Sequence, residues 1–514
     1  MLFVVLFLAP AASELNAAET NRPNILLIYT DDHSYRTVRC YPESYPWVRT
    51  PNIDALAKAG VRFERAYLGS WCMPSRASML TGLHPHAVQS MRMEGTYPGS
   101  TYDPIQCPFW PAHFRKQGYQ TAQIGKWHTG IDAGANRDWD YQIVWNRPKH
   151  PDNAGNYYDN QILSTNGGPD TPTEGYSTDN YTKWACDYIR GEHREHDSPW
   201  FLWLCYGGVH GPSYPAPRHK GAYKDAEIEI PADIFPPRPG KPSYLDLTQA
   251  WTKGPGDIPV MGKSGEAFGD ESGKNAKTFP DWVQQVNECV LSLDEGVGEL
   301  MKTLKESGQL ENTLVVFTAD QGFSMGQHGF RTKLAPYDAN YASPLIVSQP
   351  GTIPEGKHCP QCVNAPDLVA TFHARAGIEQ PGKMHGRDIS PLLSDPDAIW
   401  PHPCIYEHTG HHYGSDVTQV LKDGGKEAVH NNVPWYAVIR MDHYKYIRYL
   451  QPGHTDELYD LQADPEELTN LVAKPDQSKI VANLRSKLDA ELRRTGADFV
   501  DLLPEPAANG AQPD

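Results

Sequence analysis

Four widely separated apolar segments constrain this chain most, because each has the length of a strand and each ends in reactive polar side chains. Asn24-Ile25-Leu26-Leu27-Ile28-Tyr29-Thr30 gives way directly to Asp31-Asp32, and Thr313-Leu314-Val315-Val316-Phe317-Thr318-Ala319 to Asp320-Gln321-Gly322. Phe201-Leu202-Trp203-Leu204-Cys205-Tyr206 runs into Gly207-Gly208-Val209-His210, and the weaker Thr121-Ala122-Gln123-Ile124 into Gly125-Lys126-Trp127-His128. Near-continuous apolar strands are buried on both faces, as in parallel sheets, and open α/β sheets bind ligands at the carboxyl ends of such strands. One segment alone reads as a solvated loop tip. Together they predict an α/β fold whose polar strand ends converge on one crevice.

The residue types in that crevice point to a cation and an anion. Asp31, Asp32, Asp320 and the amide oxygen of Gln321 form a hard oxygen set that suits Ca²⁺ or Mg²⁺ better than zinc, with calcium favoured. Lys126, His128, His210, Arg76 and Lys333 supply the positive charge that a tetrahedral dianion needs. A further segment, Trp71-Cys72-Met73-Pro74-Ser75-Arg76-Ala77-Ser78-Met79-Leu80-Thr81-Gly82, reads as a helix with Pro74 in its first turn and Gly82 at its end. Cys72 then sits at a helix N-terminus, where free N–H groups and the dipole favour an anion, and Arg76 lies one turn on, in reach of it.

The same segment carries C-x-P-S-R-x-x-x-L-T-G, and in this the chain resembles the Cys-type, type I sulfatases of the alkaline phosphatase superfamily. Matching segments continue through Arg22 to Ile25, Thr50 to Ala57, Gly125 to His128, Asp294, Gly298, Asn312 to Val315, Asp320 to Gly322, Glu457 to Leu461 and Asp464 to Leu471, covering nearly the whole chain. The resemblance implies Cα-formylglycine derived from Cys72 by a maturation enzyme, and calcium held by Asp31, Asp32, Asp320, Gln321 and the modified Cys72. It implies in-line attack of the hydrated aldehyde on sulfur, with Arg76 and Lys126 holding the nucleophile and Lys333 contacting the sulfate. His210 would protonate the leaving alcohol, and His128 would take a proton as sulfate is expelled and the aldehyde re-forms. Many members have Asn where this chain has Gln321, and small residues where it has Met73. The implied fold is an alkaline-phosphatase-like α/β sandwich: a large, mostly parallel central sheet flanked by helices (21–395), then a smaller C-terminal α+β subdomain with an antiparallel sheet (396–514).

Composition bounds the partners. A net charge of −17 argues against nucleic acid, which requires a basic face. An anionic ester must therefore meet a local reversal of sign, within a Debye length of about 8 Å. Met1 to Leu8 followed by Ala9-Pro10-Ala11-Ala12 resembles a signal-peptide core (1–18), too short to span a bilayer and without a basic leader. This predicts export to a periplasm or the exterior. Of the nine cysteines, Cys205 and Cys289 read as buried thiols, and Cys359-Pro360-Gln361-Cys362 as a local disulfide.

Local signals predict a helix after Thr50 as N-cap, with Pro51 at N1 and Ile53, Leu56 and Ala57 as its apolar stripe, ending at Gly60. They also predict helices over Val283 to Leu304 and Lys479 to Arg494, a hairpin over 435–450 and a strand at Glu457 to Leu461. Segments 144–181, 212–279 and 407–432 show no period and read as irregular substrate loops, with His408, His411 and His412 exposed or touching substrate. Arg92, Arg147 and Arg218 are candidates for a second anionic group on the substrate. Tyr45 to Val48, Ser90 to Gly95 and Asp138 to Pro148 resemble bacterial sulfatases acting on marine galactans such as carrageenan, so a sulfated carbohydrate is the expected substrate, with glycosaminoglycans also open. The alternatives are a phosphonate or phosphodiester hydrolase of the same superfamily and a secreted glycan-binding protein without catalysis.

Overall fold

The computed structural model describes residues 22–89, 103–262 and 278–507. The expected signal segment and Arg92 lie outside them. The strands in chain order are β1 (Asn24–Thr30), β2 (Val61–Tyr67), β3 (Gln120–Trp127), β4 (Tyr141–Asn146), β5 (Gln161–Thr165), β6 (Asp170–Thr173) and β7 (Trp200–Cys205). A short hairpin, β8 (Trp251–Lys253) with β9 (Pro259–Met261), precedes β10 (Thr313–Ala319), β11 (Ser343–Ser348) and β12 (Lys357–Asn364).

Among the described residues the central sheet has ten strands in the order β12-β2-β11-β10-β1-β7-β3-β4-β5-β6. Every residue of β1, β7 and β10 is buried, as their uninterrupted apolar composition requires. β1 runs parallel to both neighbours, with Leu27 opposite Val316 on β10 and Trp203 on β7. β3 and β4 extend the parallel array, while β11 and the β5–β6 hairpin are antiparallel. That hairpin lies inside a stretch expected to be irregular. It is a solvent-facing edge, with β6 exposed or half-exposed throughout, and so lacks the apolar alternation that marks a half-buried strand. Helices Ser177–Ile189, Tyr244–Leu247 and Ser415–Lys422 likewise fall within or overlap the expected loops.

The strand ahead of Lys126 is longer than its apolar run, because β3 reaches Trp127. Gly125 makes this fit: its φ is +109°, and a Cβ there would lie 2.0 Å from the Cys205 carbonyl oxygen. The helix Pro51–Lys58 begins after Thr50 as predicted, but the Thr50 hydroxyl donates to Asp54 and does not cap it. Its first amides are satisfied from another helix, Phe279–Glu306: the Asp294 carboxylate accepts from Asn52 N at 3.0 Å and Ile53 N at 2.9 Å. That long helix starts earlier than its apolar stripe because Thr278 accepts from Asp281 N and caps it.

Beyond the central sheet come β13 (Cys404–His408), the small pair β14 (Val429–His430) and β15 (Val433–Pro434), then β16 (Tyr436–Met441), β17 (Tyr444–Tyr449) and β18 (Glu457–Asp460). β13, β16, β17 and β18 form a four-stranded antiparallel sheet in that order. Its alternation divides two cores: Tyr406, Val438, Ile447 and Tyr459 join the main core, while Ile405, Ala437, Ile439, Tyr446 and Leu458 face a second one. The helix Ser478–Arg494 closes that second core with Leu484, Leu488 and Leu492, each worth about 1.5–3 kcal/mol when fully buried.

The expected Cys359–Cys362 disulfide is absent, and both are free thiols. They lie three apart on β12, on either side of a register shift against β2 that sets Cys359 opposite Phe63 and Cys362 opposite Arg65, and the extended backbone, rising about 3.3 Å per residue, spaces them along the strand.

Candidate active site

The carboxyl ends of β1, β7 and β10 meet where Asp31, Asp32, His210 and Asp320 leave their strands. Backbone bonds knit them together: Asp31 N donates to Gly208 O at 2.9 Å, Val209 N to Asp31 O at 2.7 Å, and Asp320 N to Thr30 O at 2.9 Å. Opposite them, the helix Cys72–Thr81 is buried along its whole length and ends on Gly82 in the left-handed conformation. Its first residue thereby faces the strand ends.

Asp31, Asp32, Cys72 and His210 each bring a ligand-capable atom within 4.8 Å of the others. Cys72 Sγ lies 3.3 Å from Asp31 Oδ1, and Gln321 Nε2 lies 3.5 Å from Cys72 Sγ and bonds the Asp32 carboxylate. Gln321 Oε1 is buried without a partner. A rotation of that amide exchanges its oxygen and nitrogen, turning the oxygen toward the acidic cluster. Asp320 is a step removed, its Oδ1 accepting from Asp32 N and Gln321 N, both at 3.1 Å.

Positive charge is layered over these acids. Lys126 Nζ pairs with Asp31 in full burial, and Lys333 Nζ lies 2.7 Å from Asp32 Oδ1. Arg76 donates to Asp320 Oδ2 at 3.0 Å and to the Lys126 carbonyl at 3.1 Å. It therefore braces the acids from behind, and these two bonds take the place of the expected reach along the helix toward Cys72.

Burial opposes ionisation of Asp31, but Lys126, His210, Arg76 and Lys333 overcome it and hold its carboxyl well below the usual range. Asp320 goes the other way, to about 7, through burial and the Asp31 charge; Asp32 is also raised, chiefly by burial. Each acid has one cation beside it, yet burial, joined by the Asp31 charge, still disfavours the ionised forms of Asp32 and Asp320, and a divalent cation among them would favour those forms. Burial and Asp31 push the Cys72 thiol to about 11, so its thiolate, the nucleophilic form, is scarce at neutral pH.

The two histidines occupy different settings. His210 Nδ1 lies 2.7 Å from Gly211 O, which assigns the proton to Nδ1 and leaves Nε2 facing Asp32 Oδ2 at 3.4 Å. Its side chain remains 21% exposed, open to an incoming molecule. His128 is buried against Arg147, whose Nη1 lies 3.3 Å from Nδ1. Burial, followed by Arg147 for His128 and by Lys333 for His210, holds both imidazoles well below their ordinary pKa.

Of the three substrate arginines, Arg147 is therefore beside the site. Arg218 lies at the surface, paired with Asp179 at 2.7 Å and Glu295 at 2.8 Å. His408, expected to be exposed or to touch substrate, is fully buried on β13 and bonds Ser70 Oγ through Nδ1 at 2.9 Å. His411 is exposed and, like His430, packs on Trp71, at ring-centroid distances of 5.2 and 5.5 Å. Chain from beyond the central sheet thus reaches the residue before Cys72, a contact no local signal carries. Tyr157 was also missed: its ring lies 3.9 Å from that of His210.

Comparison with known proteins agrees with this geometry. The Sulfatase family model matches residues 23–378, and the C-terminal model of N-sulphoglucosamine sulphohydrolase matches residues 326–494. An N-acetylglucosamine-6-O-sulfatase of Bacteroides thetaiotaomicron is 28% identical, over 92% of this chain and 86% of its own. An ulvan-active sulfatase of Formosa agariphila is 27% identical, over 94% and 83%. A structure solved with its substrate D-glucosamine-2-N,6-O-disulfate superposes with a TM-score of 0.77 at 24% identity, covering 93% of this chain and 99% of that one. Another, solved with a neocarrahexaose, gives 0.63 at 20% identity, covering 94% and 99%. The chain belongs to the sulfatase family and is a sulfuric ester hydrolase.

Proposed function

We propose that this enzyme removes sulfate from a sulfated carbohydrate, using calcium and Cα-formylglycine derived from Cys72. The observation that carries the reading is the meeting of Asp31, Asp32, Cys72 and His210 within 4.8 Å, under the charges of Lys126 and Lys333. The burial that disfavours ionisation of Asp32 and Asp320 despite their paired cations, and the orphaned Gln321 Oε1, suit a hard divalent cation. When present, the cation and formylglycine supply charge neutralisation and a hydrated-aldehyde nucleophile.

The chain's own residues do the rest. Lys333, reaching both Asp32 and Cys72, holds sulfate oxygen charge beside the nucleophile. Lys126 fixes Asp31, and Arg76 fixes Asp320. His210, reachable from outside and neutral at rest, takes up at Nε2 the proton that the attacking hydroxyl gives up and passes it to the leaving alkoxide. Neutral His128 accepts the proton released as sulfate leaves. Relatives named for glucosamine and ulvan sulfates support a glycan substrate. Carrageenan remains the particular substrate that the sequence favours. We further propose that the first residues direct export and that the two sheets correspond to a catalytic unit and a C-terminal subdomain dividing near 395.

The test is inorganic sulfate release from a panel of defined glucosamine, ulvan and carrageenan oligosaccharides, with a phosphodiester control. The enzyme is co-produced with a formylglycine-generating enzyme, stripped with chelator and reloaded with calcium. Release from a sulfated sugar, calcium-dependent and abolished in Cys72→Ala, is expected, with peptide mass showing the aldehyde at residue 72. Hydrolysis of the phosphodiester alone, or full activity with unmodified Cys72, would refute the reading.

A further inference from the structure

Tyr157 lies between β4 and β5. Its ring is stacked on the His210 imidazole, with centroids 3.9 Å and planes 7° apart. The residue is itself held in place: Trp145 meets its ring edge-on at 4.8 Å, and Ser177 Oγ donates to its carbonyl at 2.6 Å. Two cations lie by the same ring, Arg147 Cζ at 4.9 Å and Lys126 Nζ at 5.2 Å from its centroid. Tyr157 therefore touches the histidine facing the pocket opening and two of the site's positive charges.

Its hydroxyl is unaccounted for. The residue is 2% exposed, and its Oη is buried with no hydrogen-bond partner in the protein. Leaving a buried hydroxyl unpaired is costly, and native proteins nearly always satisfy such a group or keep it for a ligand. Besides burial, the charges acting on this hydroxyl are those of Arg147, Asp31, Cys72 and Asp32. An acceptor that enters beside Cys72 is thus the partner that its surroundings lack, and sulfate oxygens are acceptors only.

We propose that Tyr157 is a substrate-contacting residue whose hydroxyl donates a hydrogen bond to an oxygen of the bound sulfate ester, while its ring fixes the plane of His210. This rests on the sulfate-ester reading above. The phenol supplies a neutral donor among the lysines, so it orients the sulfate without adding charge. Stacking leaves His210 its Nδ1 bond to Gly211 and keeps Nε2 toward the reacting oxygen. Ring and hydroxyl therefore have separable effects.

The test compares Tyr157→Phe, which keeps the stack and loses the donor, with Tyr157→Leu, which loses both. Binding of inorganic sulfate is measured by calorimetry, and turnover with 4-methylumbelliferyl sulfate and N-acetylglucosamine 6-sulfate. Y157F is expected to weaken sulfate binding and lower kcat/KM by roughly 10- to 100-fold, as for a lost hydrogen bond to a charged group, with the pH profile unmoved. Y157L is expected to lose kcat as well and to shift the His210 limb of that profile. Wild-type sulfate binding and turnover in Y157F would overturn the proposal. A structure of the wild-type enzyme with inorganic sulfate gives a second reading that does not depend on variant folding: Oη within hydrogen-bond distance of a sulfate oxygen supports it, and Oη beyond about 4 Å from all of them overturns it. Wild-type enzyme that binds sulfate but hydrolyses no ester would sink the functional reading while leaving Tyr157 to be judged by that structure.

Discussion

The Lys333 ammonium lies 3.2 Å from the Cys72 sulfur, although 261 residues separate the two in the chain. Because Lys333 also bonds both oxygens of Asp32, at 2.7 and 2.9 Å, its position is set before any substrate arrives. Burial disfavours its charge, but Asp32 and then Cys72 more than restore it, and its pKa is raised. Lys333→Ala should therefore lower kcat/KM by about 10²–10³, or roughly 3–4 kcal/mol, as for loss of one preorganised donor. Steady-state kinetics on an aryl sulfate checks this; a loss below threefold would show that Lys333 does not face the reacting sulfate.

Arg147 was expected to read a second anion on the substrate, yet it lies against His128. Burial first and Arg147 second depress the His128 pKa. Removing the guanidinium in Arg147→Ala should raise that pKa toward its ordinary value. A base must be neutral to act, so the acid limb of the pH–rate profile should move to higher pH, for aryl sulfate and oligosaccharide alike. A change confined to oligosaccharide KM would instead favour substrate recognition.

Asp294 predicts a purely structural effect. Its carboxylate accepts from Asn52 N, Asn52 Nδ2 and Ile53 N, tying the helix Pro51–Lys58 to the helix Phe279–Glu306. Asp294→Ala should cost about 2 kcal/mol of stability, the upper end for a lost cap, and leave kcat/KM unchanged. Chemical denaturation and kinetics on the same preparation separate the two outcomes.

His373, 1% exposed on the helix Ala365–Ala376, is held at about 4 by burial, against the neighbouring bond from Nδ1 to Val369 O. The unfolded chain protonates this imidazole near 6.5, so between those values it binds more protons than the folded one. Stability should fall as pH drops from about 6.5 to 4, by up to about 1.4 kcal/mol per pH unit from this group. His373→Gln should flatten that slope in melts at stepped pH. An unchanged slope would place the acid sensitivity elsewhere.

The amino-acid sequence alone determined the parts that depend on near neighbours in the chain. β1, β7 and β10 are legible because a strand buried on both faces must be apolar along its length, and Asp31, His210 and Asp320 because they follow such strands. The helix that presents Cys72 is legible from Pro74 and Gly82, and the β16–β17 hairpin from its own period. Tertiary structure alone decided the Asp294 cap, the pairing of Arg76 with Asp320, the free thiols of Cys359 and Cys362 and the unpartnered Tyr157 hydroxyl beside His210. Residue type and spacing record what a side chain does within a turn or a strand. Which distant groups reach it, and which of its polar atoms stay unfilled, depends on sheet register and helix docking.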